Sequence, residues 1–133
     1  MLHIDWNECI QKVKREYINI GSIPCPAFGG KLIHFDERGF NHLVMKQGVR
    51  RTRSEQLRKF KLLAYAPYIV RESDKFSTAY KNNRGKTCAY FWSLKSMRKD
   101  TIIIVIIRQI GDTGDKHFLS IMSKRLPKSA QTP

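Results

Sequence analysis

Acidic residues are scarce in this chain. Among 133 residues, 11 Asp and Glu stand against 25 Lys and Arg, for a formal charge of +14 with histidine neutral. Internal salt bridges cannot neutralise such an excess, so a polyanionic partner is the first inference. Nucleic acid is the commonest such partner. An acidic membrane surface or an acidic protein would also fit, and charge alone does not separate the three.

Long apolar runs are missing as well. The longest, residues 102–107, falls far short of the roughly 20 residues a spanning helix needs, so no membrane partner is expected. The opening MLHIDWNECIQK turns polar early and lacks the apolar stretch of a signal peptide. The expected compartment is therefore the cytoplasm. Cys9, Cys25 and Cys88 are widely spaced with no CxxC pair. They suggest free, buried thiols, not a zinc site or a disulfide framework. There is no P-loop, no GxGxxG, no GxSxG elbow and no carboxylate pair at metal-ligand spacing. Nucleoside-triphosphate chemistry and metal-dependent hydrolysis are disfavoured, and no metal or cofactor is expected.

What is present organises as one domain over residues 1–125, followed by a flexible tail at 126–133. Residues 5–19 read as a helix capped by Asp5 and ended by Gly21, with Trp6, Cys9, Ile10, Val13, Tyr17 and Ile18 at helical spacing. IPCPAFGG, with two prolines and two glycines, reads as a loop. KLIHF (31–35) reads as a short strand. A short helix follows with Phe40, Leu43 and Val44 inward, broken by Gly48. Ser54 is the expected cap of a second helix that turns Leu57, Phe60, Leu63 and Ala64 inward. Residues 87–97, 101–110 and 116–123 are rich in β-branched and aromatic residues and are joined by short turns. Connections this short force antiparallel pairing. The fold class expected is α+β: N-terminal helices packed on one face of a small antiparallel sheet that ends in a three-stranded meander.

The chemistry-bearing residues cluster. His42 lies beside its helix's apolar stripe, four residues before Lys46, in the same segment as Arg50, Arg51, Arg53, Arg58, Lys59 and Lys61. Neighbouring cations keep a histidine neutral, as a general base must be. The plainer alternative is a solvated histidine on a basic face. Arginines in a loop before a helix N-terminus suit phosphate. Arg108 ends an aliphatic strand, and the short turn after it sets it near His117. Strict alternation puts His117 and Ser120 on opposite faces unless a bulge intervenes. Tyr80, in polar surroundings, is the candidate for base stacking, while Tyr90 and Trp92 share one strand face and Phe91 takes the other. His3 and His34 read as terminal and structural. Histidine, cations and hydroxyls are enough for metal-free RNA cleavage, in which a base takes the ribose 2′-OH proton and an acid protonates the leaving oxygen.

The segments GFNHL (39–43), RRTRSEQLRKFKLL (50–63), VIIRQIG (105–111) and KHFLSI (116–121) resemble phage-type members of the barnase, EndoU, colicin and RelE-like (BECR) nuclease superfamily. The likeness covers about residues 31–123. It implies a ribonuclease, toxin-like, acting on RNA such as tRNA, with His42, Arg108, His117 and Ser120 in the catalytic work. Lys46, Arg50, Arg51, Arg53, Arg58, Lys61 and Tyr80 would bind RNA. The aliphatic central strand departs from that pattern, because it calls for cover on both faces. Either the flanking helices and the loop at 20–30 supply it, or a partner does: an inhibitor (an acidic immunity protein or antitoxin) or a second subunit. A non-catalytic RNA-binding module and a domain for an acidic protein are the competing readings.

Overall fold

The chain enters its first helix, α1 (Trp6–Ile20), at Asp5, whose carboxylate accepts a hydrogen bond from the Asn7 amide. One of the free amides of the first turn is thereby satisfied. The computed structural model describes residues 5–84 and 87–127; His3 and the tail from residue 128 onward lie outside the described residues. Gly21, at φ 69°, closes the helix. Ile10 and Tyr17 are buried, and Trp6 and Val13 pack against the same core. Ile18, counted on the apolar stripe, instead faces solvent.

The segment read as a loop carries a strand. β1 (Ser22–Cys25) pairs antiparallel with β2 (Lys31–His34) across a 3-10 turn at Pro26–Phe28. β1 is an edge strand, where Pro24 can sit without a donor for the ladder. A second unforeseen strand, β5 (Thr78–Arg84), is polar in composition and pairs with β6 (Thr87–Arg98). β6, β7 (Thr101–Ile110) and β8 (Lys116–Arg125) form the expected meander. The fold is α+β, on a six-stranded sheet of order β1-β2-β8-β7-β6-β5. The sheet is mixed, not wholly antiparallel: β2 runs parallel to β8 at Ile33↔Lys116 and His34↔His117. The long excursion between these strands permits a parallel return.

Helices cover one face. Along β7, Ile103, Val105, Ile107 and Gln109 are buried, Ile102, Ile104, Ile106 and Arg108 are half-buried, and Ile110 is exposed. Tyr17, Phe35, Phe40 and Phe118 form the aromatic centre of the core, with ring centroids 5.1–5.9 Å apart for the four pairs in contact. Full burial of each such ring contributes about 1.5–3 kcal/mol. Cys25 is buried, Cys9 and Cys88 are half-buried, and all three thiols are free. The other face of β7 is not fully covered. Its rows Met97–Ile102 and Ile104–Met122 stay open, with Met97 61% exposed.

β2 stops at His34, and α2 (Glu37–Val44), capped by Asp36, then packs along β8. Phe40 and Leu43 enter the core. Gly39 is the point of closest approach, where a Cβ would fall 2.5 Å from Tyr17 Oη and 2.8 Å from the Phe118 ring. α2 ends at Val44 and gives way to a hairpin, β3 (Met45–Lys46) and β4 (Val49–Arg50). Gln47 and Gly48, both at positive φ, form its two-residue turn. Lys46 is therefore on a strand, and the expected one-turn spacing from His42 along a helix does not exist.

α3 (Arg53–Leu63) is capped by Thr52, whose hydroxyl accepts from the Glu55 amide, and not by Ser54. It buries Gln56, Lys59 and Leu63, whereas Leu57 and Ala64 are exposed. Hydrogen bonds explain the polar stripe. Trp6 Nε1 donates to Gln56 Oε1 at 2.8 Å, Gln56 Nε2 donates to Arg51 O at 2.9 Å, and Lys59 Nζ donates to Ile121 O at 2.6 Å. α4 (Ala66–Glu72) completes the layer through Ala66, Ile69 and Val70.

Candidate active site

The meander's register has one irregularity. Ile107 pairs with Phe118 but Ile106 pairs with Ser120, so Leu119 is an extra residue in β8. Bulges of this kind re-aim side chains and sit preferentially beside active sites. Phe118 and Ile121 both face the helices. His117 and Ser120 consequently share the open face, as the sequence allowed only with a bulge.

Two cross-strand rows result. Tyr80, Phe91, Arg108, His117 and His34 follow one another across β5, β6, β7, β8 and β2. Thr78, Ser93, Ile106 and Ser120 form the next row. His42, on α2, joins Ser120, Ser93, Tyr80 and Phe91 in lining a cavity of about 270 Å³. A second cavity, about 470 Å³, opens at the other end of the first row beside His34, Lys31 and Lys116.

Hydrogen-bonding groups fix two of the rings. His117 Nδ1 is shielded from solvent and lies 2.7 Å from Asp36 Oδ2. The carboxylate oxygen sits off the N–H axis, so the contact is close without being an aligned hydrogen bond. His34 Nδ1 is 2.7 Å from Ser22 Oγ. The two imidazoles are neighbours, with centroids 5.4 Å apart. An imidazole anchored through Nδ1 keeps Nε2 for proton transfer.

Cations set the electrostatics. Partial burial, then the charges of Arg108, Arg38, Arg51 and Lys59, hold His42 below the ordinary histidine value. Burial and then Arg38 pull the Arg108 guanidinium down, with Asp36 opposing; an arginine remains charged regardless. Burial is also the main reason that Lys59 falls to about 8. Among the described residues four ion pairs form: Lys14–Glu37, Arg51–Glu55, His117–Asp36 and Arg125–Asp100. Arg38 and Arg108 belong to none of them.

The structure thus brings His42, Arg108, His117, Ser120 and Tyr80 to one face. The basic tract is more dispersed. Lys46, Arg51 and Arg58 surround Lys59. Arg51 is occupied, donating from Nε to His42 O at 3.1 Å. Arg53 opens α3, not a loop, and lies over the Trp6 ring at 5.9 Å. Arg50 is in the hairpin and Lys61 on the exposed side of α3. None of these lines the His42 cavity. Tyr90 and Trp92 share the other face, stacked on each other, with Lys116 over Trp92 at 5.0 Å.

Asp36 and Arg38 were not singled out from sequence, and His34, read as structural, instead stands beside His117. One signal was available: His34 and Asp36 are two apart in an extended segment, a spacing that places both on one side. The described residues hold no group of three or more His, Cys, Asp or Glu side chains arranged to bind a metal, and no helix long and apolar enough to cross a membrane. No family model, curated protein or solved structure matches the chain.

Proposed function

We propose that the protein is a metal-independent endoribonuclease, toxin-like in its economy, of the BECR kind its motifs resemble. The observation that carries this reading is the Leu119 bulge, which sets Arg108, His117 and Ser120 on the face that His42 overlooks. Neutral His42 takes the proton of a ribose 2′-OH. The freed 2′ oxygen attacks the adjacent phosphorus, and the bond to the 5′ oxygen breaks. His117, oriented by Asp36, gives that oxygen its proton. Arg108 and Arg38, without ion-pair partners of their own among the described residues, hold the charge that builds on the phosphorane. Ser120 supplies a hydroxyl to the same cavity. The products are a 2′,3′-cyclic phosphate and a 5′-OH.

The test is incubation of the protein with total RNA and with tRNA in EDTA, followed by end-group analysis. Cyclic-phosphate ends are expected. His42→Ala and His117→Ala should each slow cleavage by about 10²–10⁴, and Arg108→Ala by about 10²–10³. Intact RNA with retarded mobility would replace this reading with a non-catalytic RNA-binding module, which the exposed Tyr80 would also suit. Salt-sensitive capture of an acidic protein, with weak and indiscriminate RNA affinity, would point to an interaction domain.

A further inference from the structure

The His42 cavity has a wall that the chemistry above leaves unused. Tyr80 and Phe91 are cross-strand partners, and their rings stack at 4.9 Å with an interplanar angle of 13°. Tyr80 is nevertheless 63% exposed. Its outer ring face is therefore open to a ligand, while Phe91 holds the inner one. Beside it, Thr78 Oγ1 and Ser93 Oγ are hydrogen-bonded to each other. Each hydroxyl keeps further capacity to donate or accept, and Ser93 is buried at 5% exposure. Ile106 and Leu119 add an apolar floor, and His42 and Ser120 stand opposite.

A flat π-face, adaptable hydroxyls at one edge and an apolar floor are the complement of a nucleobase. The volume, about 270 Å³, lies just under the range of roughly 300–1,000 Å³ typical of drug-sized ligands. It is large enough to hold one base. A base inside an A-form duplex is locked in its stack and cannot present its face to Tyr80.

We infer that this cavity is a nucleobase subsite that takes one unpaired, splayed-out base of single-stranded RNA. Tyr80 stacks on the base, and Thr78 and Ser93 meet its edge. Because His42 shares the cavity, the captured base belongs to the nucleotide whose 2′-OH attacks, on the 5′ side of the cut. The subsite rests on RNA being the ligand and not on the protein being catalytic; only the assignment of its base to the attacking nucleotide rests on the nuclease reading.

The test separates the two. A fluorescently labelled, uncleavable 2′-fluoro RNA is titrated as a single strand and annealed to its complement, and anisotropy is read. The single strand should bind more tightly. Tyr80→Ala should weaken its binding by about 5- to 150-fold, Tyr80→Phe should keep near wild-type affinity, and circular dichroism should show both variants folded. Tyr80 is exposed, so the fold does not depend on it. If natural RNA is never cut but this pattern holds, the subsite stands and the nuclease reading falls. If RNA is cut, yet the duplex binds as tightly as the single strand or Tyr80→Ala binds unchanged, the subsite is overturned. No binding to either probe overturns it as well.

Discussion

His42 is held neutral by partial burial and by four cations, Arg108, Arg38, Arg51 and Lys59. The free side chain titrates near 6.5. With the folded value below that, the unfolded chain binds the proton more readily between the two values. Stability contributed by His42 is therefore full above about 6.5 and falls as pH drops. For a general base, the acid limb of kcat/KM follows the same folded value. It should lie below the usual histidine range, and Arg38→Gln should move it upward by removing one cation. An acid limb that stays put in that variant would deny His42 the role. Part of this was legible: the crowd of cations around residue 42 is plain in the sequence. Asp36 and His34 were less so, because they meet His117 only through the parallel pairing of strands more than eighty residues apart, a contact that no local pattern encodes.

At the scale of elements, the polar stripe of α3 defeated the reading of apolar spacing. Leu57 was assigned inward, yet Gln56 and Lys59 are the buried residues, each hydrogen-bonded there. Periodicity counts apolar residues and cannot see a carbonyl such as Ile121 O waiting for a donor. Lys59, at about 8 against an ordinary 10.4, is deprotonated in the folded state before the unfolded one. Stability should then rise with pH between about 8 and 10.4. Lys59→Met should flatten that rise in chemical denaturation series, while leaving stability near pH 7 within about 1–3 kcal/mol, because it removes a buried charge but orphans one carbonyl. A slope that persists in the variant would assign it elsewhere. Gly39 offers a steric counterpart. Gly39→Ala forces a methyl between Tyr17 and Phe118 and should cost about 1–3 kcal/mol or more, visible as a lowered Tm. The meander itself was fully legible, since its β-branched runs and short turns leave one pairing. The bulge was legible only as a condition.

Across the whole molecule, charge is the dominant property. Among the described residues only Lys14, Arg51, Arg125 and His117 find acidic partners within 4 Å, so the excess stays unneutralised. Binding to single-stranded RNA should weaken with salt at a log–log slope of about −0.7 per phosphate contacted. Arg38→Gln, at the site, should flatten that slope by about one such increment. Arg15→Gln, on α1 over a separate cavity, should leave it unchanged. Equal effects from the two would mean that charge acts without a track. The overall class, α+β, followed from grouped helices and grouped strands. The six-stranded extent did not, because β1 contains proline and β5 is polar, and each is admitted only as an edge.

The site takes its side chains from three stretches of the chain, residues 34–42, 78–93 and 106–120. A ribosome delivers these in order, at about 5–20 residues per second. For several seconds of every synthesis the first histidines exist without their arginine, and the bulged strand is still unmade. Any activity housed in this face is thus withheld from the growing chain and begins only once β8 has emerged and docked against β2 and α2. The order of the strands along the chain acts as a clock, delaying function until β8 has been made and paired.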